Sequence, residues 1–271
     1  MMGDRTLENC NIMTVTSCKG GVGKSTIAAN LAAALADDNY RVLLVDCDFA
    51  VRSLDLILGL EDRAIYDIYD VISGAVAPEK ALIQTPGSDH FFFLCAPYGK
   101  NEETIDEEKF GSVILHYAVE GGFDYIILDT PGDIGKSFRM AASVSDSALV
   151  ISTNQPTSLR AAERTGALLA EKGVGSRKLV INCFDTSRVA FAAEHSLTGL
   201  IDETSIQLIG IIPFDIRVME AQSRRELVFS LKDSNVPIAY RNIAQRLNGI
   251  QLPLFSGFRH INRKQLMNQL K

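Results

Sequence analysis

Short apolar runs rich in β-branched residues alternate with longer segments of helical period along nearly the whole chain. The runs predict strands over 12–16, 41–46, 91–95, 125–129, 148–153, 178–182 and 207–211. Several, such as YIILD and ALVIST, are almost uninterrupted, as expected of parallel strands covered on both faces. The longer segments predict helices over 25–35, 65–72, 103–119, 135–144, 158–171, 188–195 and 236–247. This alternation predicts an α/β fold: a doubly wound, mostly parallel sheet flanked by helices on both faces, built from right-handed βαβ units. No repeat, low-complexity tract or Pro/Ser-rich linker divides the chain, so one domain is expected over 1–248 with a tail over 249–271. The acidic stretch Glu102–Glu108 reads as a solvated helix start, its carboxylates suited to the positive end of the helix dipole.

The 271 residues are enough for a self-sufficient core, and 46% apolar with 22% charged residues excludes a disordered or fibrous chain. Net charge is −6, a poor match for a protein that coats nucleic acid with its whole surface. The charge is unevenly placed. Six basic residues (Arg241, Arg246, Arg259, Arg263, Lys264, Lys271) and no carboxylate follow Asp233, so the first 233 residues carry −12. An anionic partner is expected for the basic end. Five scattered cysteines without a C-x-x-C pair exclude a zinc ribbon or cluster site and fit a reducing cytosol. The first residues lack the apolar core of a secretory signal, and no apolar stretch approaches 18 residues, so a cytoplasmic protein without a membrane span is expected. The four histidines lack metal-ligand spacing, and Phe91-Phe92-Phe93 reads as core strand.

Chemistry enters directly after the first strand, at Ser17-Cys18-Lys19-Gly20-Gly21-Val22-Gly23-Lys24-Ser25-Thr26, which runs into the helix IAANLAAALA. Gly20, Gly21 and Gly23 let successive backbone N–H groups turn inward around a phosphate, and the helix N-terminus adds partial positive charge. Lys24 is expected on the β- and γ-phosphates and the Ser25 hydroxyl on Mg²⁺. A ligand-free glycine turn is the plainer alternative; the register of G-K-S-T between strand and helix argues against it.

The strict P-loop pattern needs glycine at position 18, where this chain has Cys18, followed by a second lysine, Lys19. The K-G-G-x-G-K-[ST] form resembles the deviant Walker A motif of the MinD/ParA family of dimeric P-loop ATPases. The resemblance extends over roughly residues 10–248. Asp46-Cys47-Asp48 followed by Val51-Arg52-Ser53-Leu54-Asp55-Leu56-Ile57-Leu58-Gly59 is similar to switch I of the MinD branch, as are Ile65-Tyr66-Asp67 and Val71-Ile72-Ser73-Gly74. The resemblance implies ATP/ADP and Mg²⁺ as ligands, with Lys19 to Thr26 (Val22 included) around the phosphates. ATP would close a sandwich homodimer, Lys19 reaching the partner's nucleotide, and slow hydrolysis stimulated by a partner would reopen it.

Asp48 falls just past the second strand, where such sheets place ligands, and a carboxylate there suits orientation of the attacking water. Asp46 suits support of the Mg²⁺ shell, and Asp129, before Thr130-Pro131-Gly132, resembles a Walker B aspartate. A strand-ending or turn-capping Asp is the plainer reading of the first two. Around Asp129 the chain reads Thr-Pro-Gly-Asp-Ile-Gly where the MinD branch has Ser-Pro-Ala-Gly-Ile-Glu, so the acidic end of switch II is missing. Asn182 matches the family's adenine-reading asparagine, with Pro213 and Asp215 as the opposite wall; a turn asparagine is the alternative.

What the resemblance implies is an ATP-driven positional switch: cytoplasmic, peripheral on the inner face of the cell membrane as the ATP dimer, and engaged with partners of the MinC and MinE kind in division-site placement. DNA partitioning of the ParA type is the rival, disfavoured by the acidic body and by the lack of a helix-turn-helix segment before the loop. A flagellar-placement relative usually carries an N-terminal D-Q-A-x-x-L-R segment, absent here. A helical projection of 255–271 gathers Phe255, Phe258, Ile261, Leu266 and Leu270 on one half, with His260, Lys264 and Lys271 opposite. That pattern suits an anionic bilayer surface, the alternative being a helix packed on its own domain.

Overall fold

The computed structural model describes residues 10–99, 102–185 and 204–259. Eight strands form one sheet: β1 (Asn11–Thr16), β2 (Val42–Asp46), β3 (Ile83–Gln84), β4 (Phe91–Leu94), β5 (Tyr125–Asp129), β6 (Ser147–Ser152), β7 (Ser176–Phe184) and β8 (Gln207–Pro213). Their spatial order is β3-β4-β2-β5-β1-β6-β7-β8, and every pairing is parallel except β3 with β4. The helices are α1 (Lys24–Asp37), α2 (Leu54–Leu58), α3 (Ile68–Ile72), α4 (Glu107–Val119), α5 (Lys136–Val144), α6 (Pro156–Glu171), α7 (Arg217–Ser223) and α8 (Val236–Leu247).

The strands are apolar throughout because both faces are covered. Val42 and Leu44 join the core under α1 and α8, while Leu43 and Val45 join the opposite core under α3, α4 and α5. Ala148, Val150, Leu179 and Ile181 face a third cluster with α6. Successive strand side chains point to opposite faces, so the two cores consume alternate residues. The alanine-rich α1 lies deep in the first core, where small side chains let it approach the sheet closely.

The expected seven strands and doubly wound layout are present, and 125–129 and 236–247 have the expected limits. The helix expected from 65 starts at Ile68, because Asp67 and Asp70 form a reciprocal capping box there. The helix expected from 103 starts at Glu107, capped by Asp106, and a 3-10 turn precedes it over Glu102–Thr104. The antiparallel edge strand β3 and the short helices α2 and α7 have too few residues to show a period. The helix expected over 188–195 lies outside the described residues.

The chain does not leave the domain at 248. Residues 249–259 double back along α8: Arg246 donates to the carbonyls of Ile209, Leu252 and Pro253, and Asn242 donates to that of Ser256. Asn235 and Arg259 exchange two hydrogen bonds, of 3.0 and 2.8 Å. Phe255 and Phe258 meet edge-to-face at 5.5 Å and pack on the core. These two aromatic residues, expected on a membrane-facing helix, are therefore committed to the fold; Ile261, Leu266 and Leu270 lie outside the described residues.

Candidate functional site

β1 ends at Thr16, α1 begins at Lys24, and the loop between them lies at the carboxyl edge of the sheet. Gly21 (φ 74°) and Gly23 (φ 92°) take left-handed backbone that a side chain would disfavour. A Cβ on Gly20 or Gly21 would meet open space, so the concave side is free, whereas one on Gly23 would overlap the Asn182 amide. The loop is pinned from outside. Thr165 of α6 accepts from the Cys18 N–H at 3.1 Å, and Asn182 of β7 donates to the Val22 carbonyl at 2.8 Å. Gln222 of α7 donates to the Thr26 hydroxyl, which ties the start of α1 to a distant helix.

Lys24 is buried. Burial lowers its pKa, against the opposing pull of Asp129, Asp48 and Asp133. Ser25 faces Ser53 of switch I at 3.5 Å. Asp46 and Asp129 pair in register at the ends of β2 and β5. Asp46 accepts from the N–H groups of Asp48 (2.9 Å) and Leu54 (3.2 Å), so its carboxylate folds the switch I turn. Burial and the nearby Asp129 push its pKa well up. Asp48 accepts from the N–H groups of Ala50 and Val51, the turn-capping contact that is the plainer reading of this residue.

Asp129 is different. It is fully buried, and neither carboxylate oxygen receives a well-formed hydrogen bond. Burial raises its pKa to about 7, while Ser25 and Lys24 pull in the other direction. A buried, unpartnered carboxylate beside a hydroxyl is chemically suited to a divalent cation. Among the described residues no three His, Cys, Asp or Glu side chains form a metal cage.

Switch II lies directly against the loop. A Cβ on Gly132 would sit 2.8 Å from Gly20 Cα and 3.2 Å from Lys24 Nζ. The Thr130 hydroxyl donates to the Val15 carbonyl, which fastens the segment to β1. Lys19 is half-buried, its ammonium donating to Thr157 (3.1 Å) and Gln155 (3.4 Å) at the start of α6. Pro213 ends β8 beside β7, the strand that carries Asn182. Asp215 is committed elsewhere: its carboxylate grips Arg217 at 2.6 and 2.9 Å and accepts from Ser234. The Arg217 contact holds its pKa down at about 2. A wall for a base would therefore use the Asp215 backbone or the ion pair, not a free carboxylate.

Sequence reasoning missed Thr165, Gln222 and Arg217, each a single polar residue in a helix of unremarkable pattern. The acids Glu103, Asp106, Glu107 and Glu108 are exposed around the helix start as expected, but Glu102 is half-buried and turned onto α5.

Strand, glycine loop, helix and a buried aspartate on the neighbouring strand define a P-loop nucleotide-binding protein. The chain belongs to the CobQ/CobB/MinD/ParA nucleotide-binding family, whose pattern matches residues 13–228. It is 35% identical over 243 residues to the septum site-determining protein MinD of Synechocystis, covering 89% of this chain and 91% of that one. The MinD of Helicobacter pylori is 37% identical over 245 residues, covering 88% of this chain and 90% of the relative. In a MinC:MinD cell-division complex from Aquifex aeolicus, one chain superposes with a TM-score of 0.84 at 34% identity, covering 90% of this chain and 98% of that one.

Proposed function

We propose that this protein is a MinD-like ATPase that places the cell-division site by cycling between a nucleotide-dependent dimer and a dissociated form. The observation that carries the ATPase reading is the unpartnered Asp129 carboxylate, buried beside Ser25 and Lys24 under an open glycine loop. Backbone N–H groups of Gly20 to Lys24 and the Lys24 ammonium bind the phosphates. Ser25 and Asp129 hold Mg²⁺, with Asp46 behind them. Bound there, the ion would neutralise phosphate charge. Asp48 orients the attacking water once its turn rearranges around the γ-phosphate. Thr26 lines the loop, and Asn182, Pro213 and the Asp215–Arg217 pair border the base.

Turnover is slow without a partner, because among the described loop residues no arginine reaches the phosphate cradle. Lys19 swings from Thr157 to the nucleotide of a second copy, closing an ATP-dependent homodimer. The relative solved with MinC makes a protein of that kind the expected cargo; the activator would be a protein of the MinE kind. No described helix is long and apolar enough to cross a membrane. Attachment would be peripheral, on the inner face of the cell membrane, through the basic segment 260–271.

Two measurements test this reading. Mg²⁺-dependent release of phosphate from ATP should be present in the wild type and lost in Lys24→Ala; equal rates would overturn the ATPase assignment. Sedimentation with anionic liposomes or with DNA, in ATP and in ADP, should give ATP-dependent pelleting with liposomes only. Pelleting with DNA alone would favour the partitioning alternative.

A further inference from the structure

Switch II runs into α5 through Gly135, and no side chain at that position caps the helix. The cap comes from the β4–α4 connection instead. Glu102 accepts from the N–H groups of Lys136 (3.2 Å) and Ser137 (2.9 Å) and from the Ser137 hydroxyl (2.8 Å). Ser137 is almost fully buried, so this is not a surface contact that water could replace freely. Burial raises the Glu102 pKa, but the donors on Ser137 and Lys136 outweigh it and leave the carboxyl below its usual range.

The carboxylate also explains the glycine. A Cβ on Gly135 would lie 2.9 Å from a Glu102 oxygen and 2.9 Å from an oxygen of Asp133. The Gly135 backbone (φ −67°) is open to any residue, and a side chain there would have to displace the carboxylate ends of Glu102 and Asp133. Glutamate is missing from this position of switch II, and the side chain of Glu102 stands over it.

We propose that Glu102 is a positioning residue for ATP hydrolysis: it supplies, from a separate loop, the anionic anchor that switch II lacks in its own sequence. The inference rests on the ATPase reading above. Its physical content is a short mechanical path. Glu102 fixes the first turn of α5, Asp133 accepts from the Gly135 N–H at 2.8 Å, and Gly132 abuts Gly20 and Lys24. Releasing the α5 end would let Pro131 to Asp133 shift against Gly20 and Lys24, while Asp129 and Thr130 stay fastened to β1.

The test uses the full-length chain, with steady-state ATP hydrolysis, fluorescent-ADP binding and urea unfolding measured for four variants. Glu102→Ala should lower kcat by roughly ten- to a hundredfold, the cost of misplacing a reacting group by about an ångström. KM and ADP affinity should stay near wild type, because the phosphate loop is intact. Glu102→Gln, whose amide oxygen still accepts an N–H bond, should recover part of the rate. Gly135→Glu alone should be slow, since its Cβ collides with Glu102. The double variant Glu102→Ala/Gly135→Glu should be faster than either single variant, the new carboxylate taking the vacated space. Wild-type kcat in Glu102→Ala, a parallel loss of ADP affinity, or no relief in the double variant each overturns the proposal. An inactive wild type would overturn the ATPase reading and this inference together, and that result appears before any variant is made.

Discussion

The side-chain amide of Asn182 donates to the Val22 carbonyl across 160 residues of sequence, so the end of β7 holds the phosphate loop from outside. The same amide fills the space beside Gly23 that any Cβ would need. Asn182→Ala removes a buried hydrogen bond and is expected to cost about 1–3 kcal/mol in urea unfolding. It should weaken ADP and GDP alike through the loop. A loss confined to ADP would assign Asn182 to base reading alone.

Asp129 stores a different kind of cost. Its carboxylate is buried and neither oxygen receives a well-formed hydrogen bond, so the fold carries an unfavourable charge eased only by the neighbouring Ser25 and Lys24. Asp129→Asn should therefore be at least as stable as wild type in urea at pH 8 without ligand, by about 1 kcal/mol or more. Mg²⁺-dependent hydrolysis should be lost. A destabilised variant would show that Asp129 serves the fold first.

Lys19 and Asp48 separate assembly from chemistry. The Lys19 ammonium bonds to exposed groups at the start of α6, so Lys19→Ala should leave folding and ATP binding unchanged and abolish the ATP-dependent dimer. Asp48→Asn keeps an acceptor for the Ala50 and Val51 N–H groups and should give a dimer that does not turn over. Light scattering on a sizing column with ATP distinguishes them. A dimeric Lys19→Ala or an active Asp48→Asn would break the scheme.

Two truncations probe the end of the chain. Removing 260–271 should spare stability and ATP binding while abolishing ATP-dependent recruitment to anionic liposomes. Removing 252–271 also strips away the buried Phe258 and the half-buried Phe255 packed against the core, and losing one buried phenylalanine costs about 3–5 kcal/mol. Only the longer deletion should lower the melting temperature. Full recruitment after the shorter deletion would rule out the tail as the anchor.

Much of this was legible in the residue order because parallel strands are apolar on both faces and the phosphate loop is local. Gly20 to Thr26 are consecutive, and strand and helix on either side are long enough to show their period. Asp129 could be found as a strand-ending acid, but not that its buried oxygens receive no well-formed hydrogen bond, which depends on residues far away in sequence such as Ser25 and Lys24. Asp215 looked like a free wall residue because its partner Arg217 sits two positions away in a helix too short to announce itself. Glu102 was misread since charge runs are ordinarily solvated, and nothing local reveals that one member reaches α5, 35 residues away.

The fold-back of 249–259 has a practical corollary for labelling. Tyr125, which opens β5, donates to Asn248 at the end of α8, so the helix finishes on the edge of the sheet where β1 also starts. Arg259, fastened to Asn235 at the other end of α8, leaves on the opposite edge, next to the Asp215–Arg217 pair. The chain thus enters the described fold on its blunt side and exits on its working side. A fluorescent fusion placed before Asn11 would start at the end of the sheet opposite the phosphate loop, whereas one joined after Arg259 would start beside the Asp215–Arg217 pair. The two fusions should be compared before either is trusted as a silent reporter.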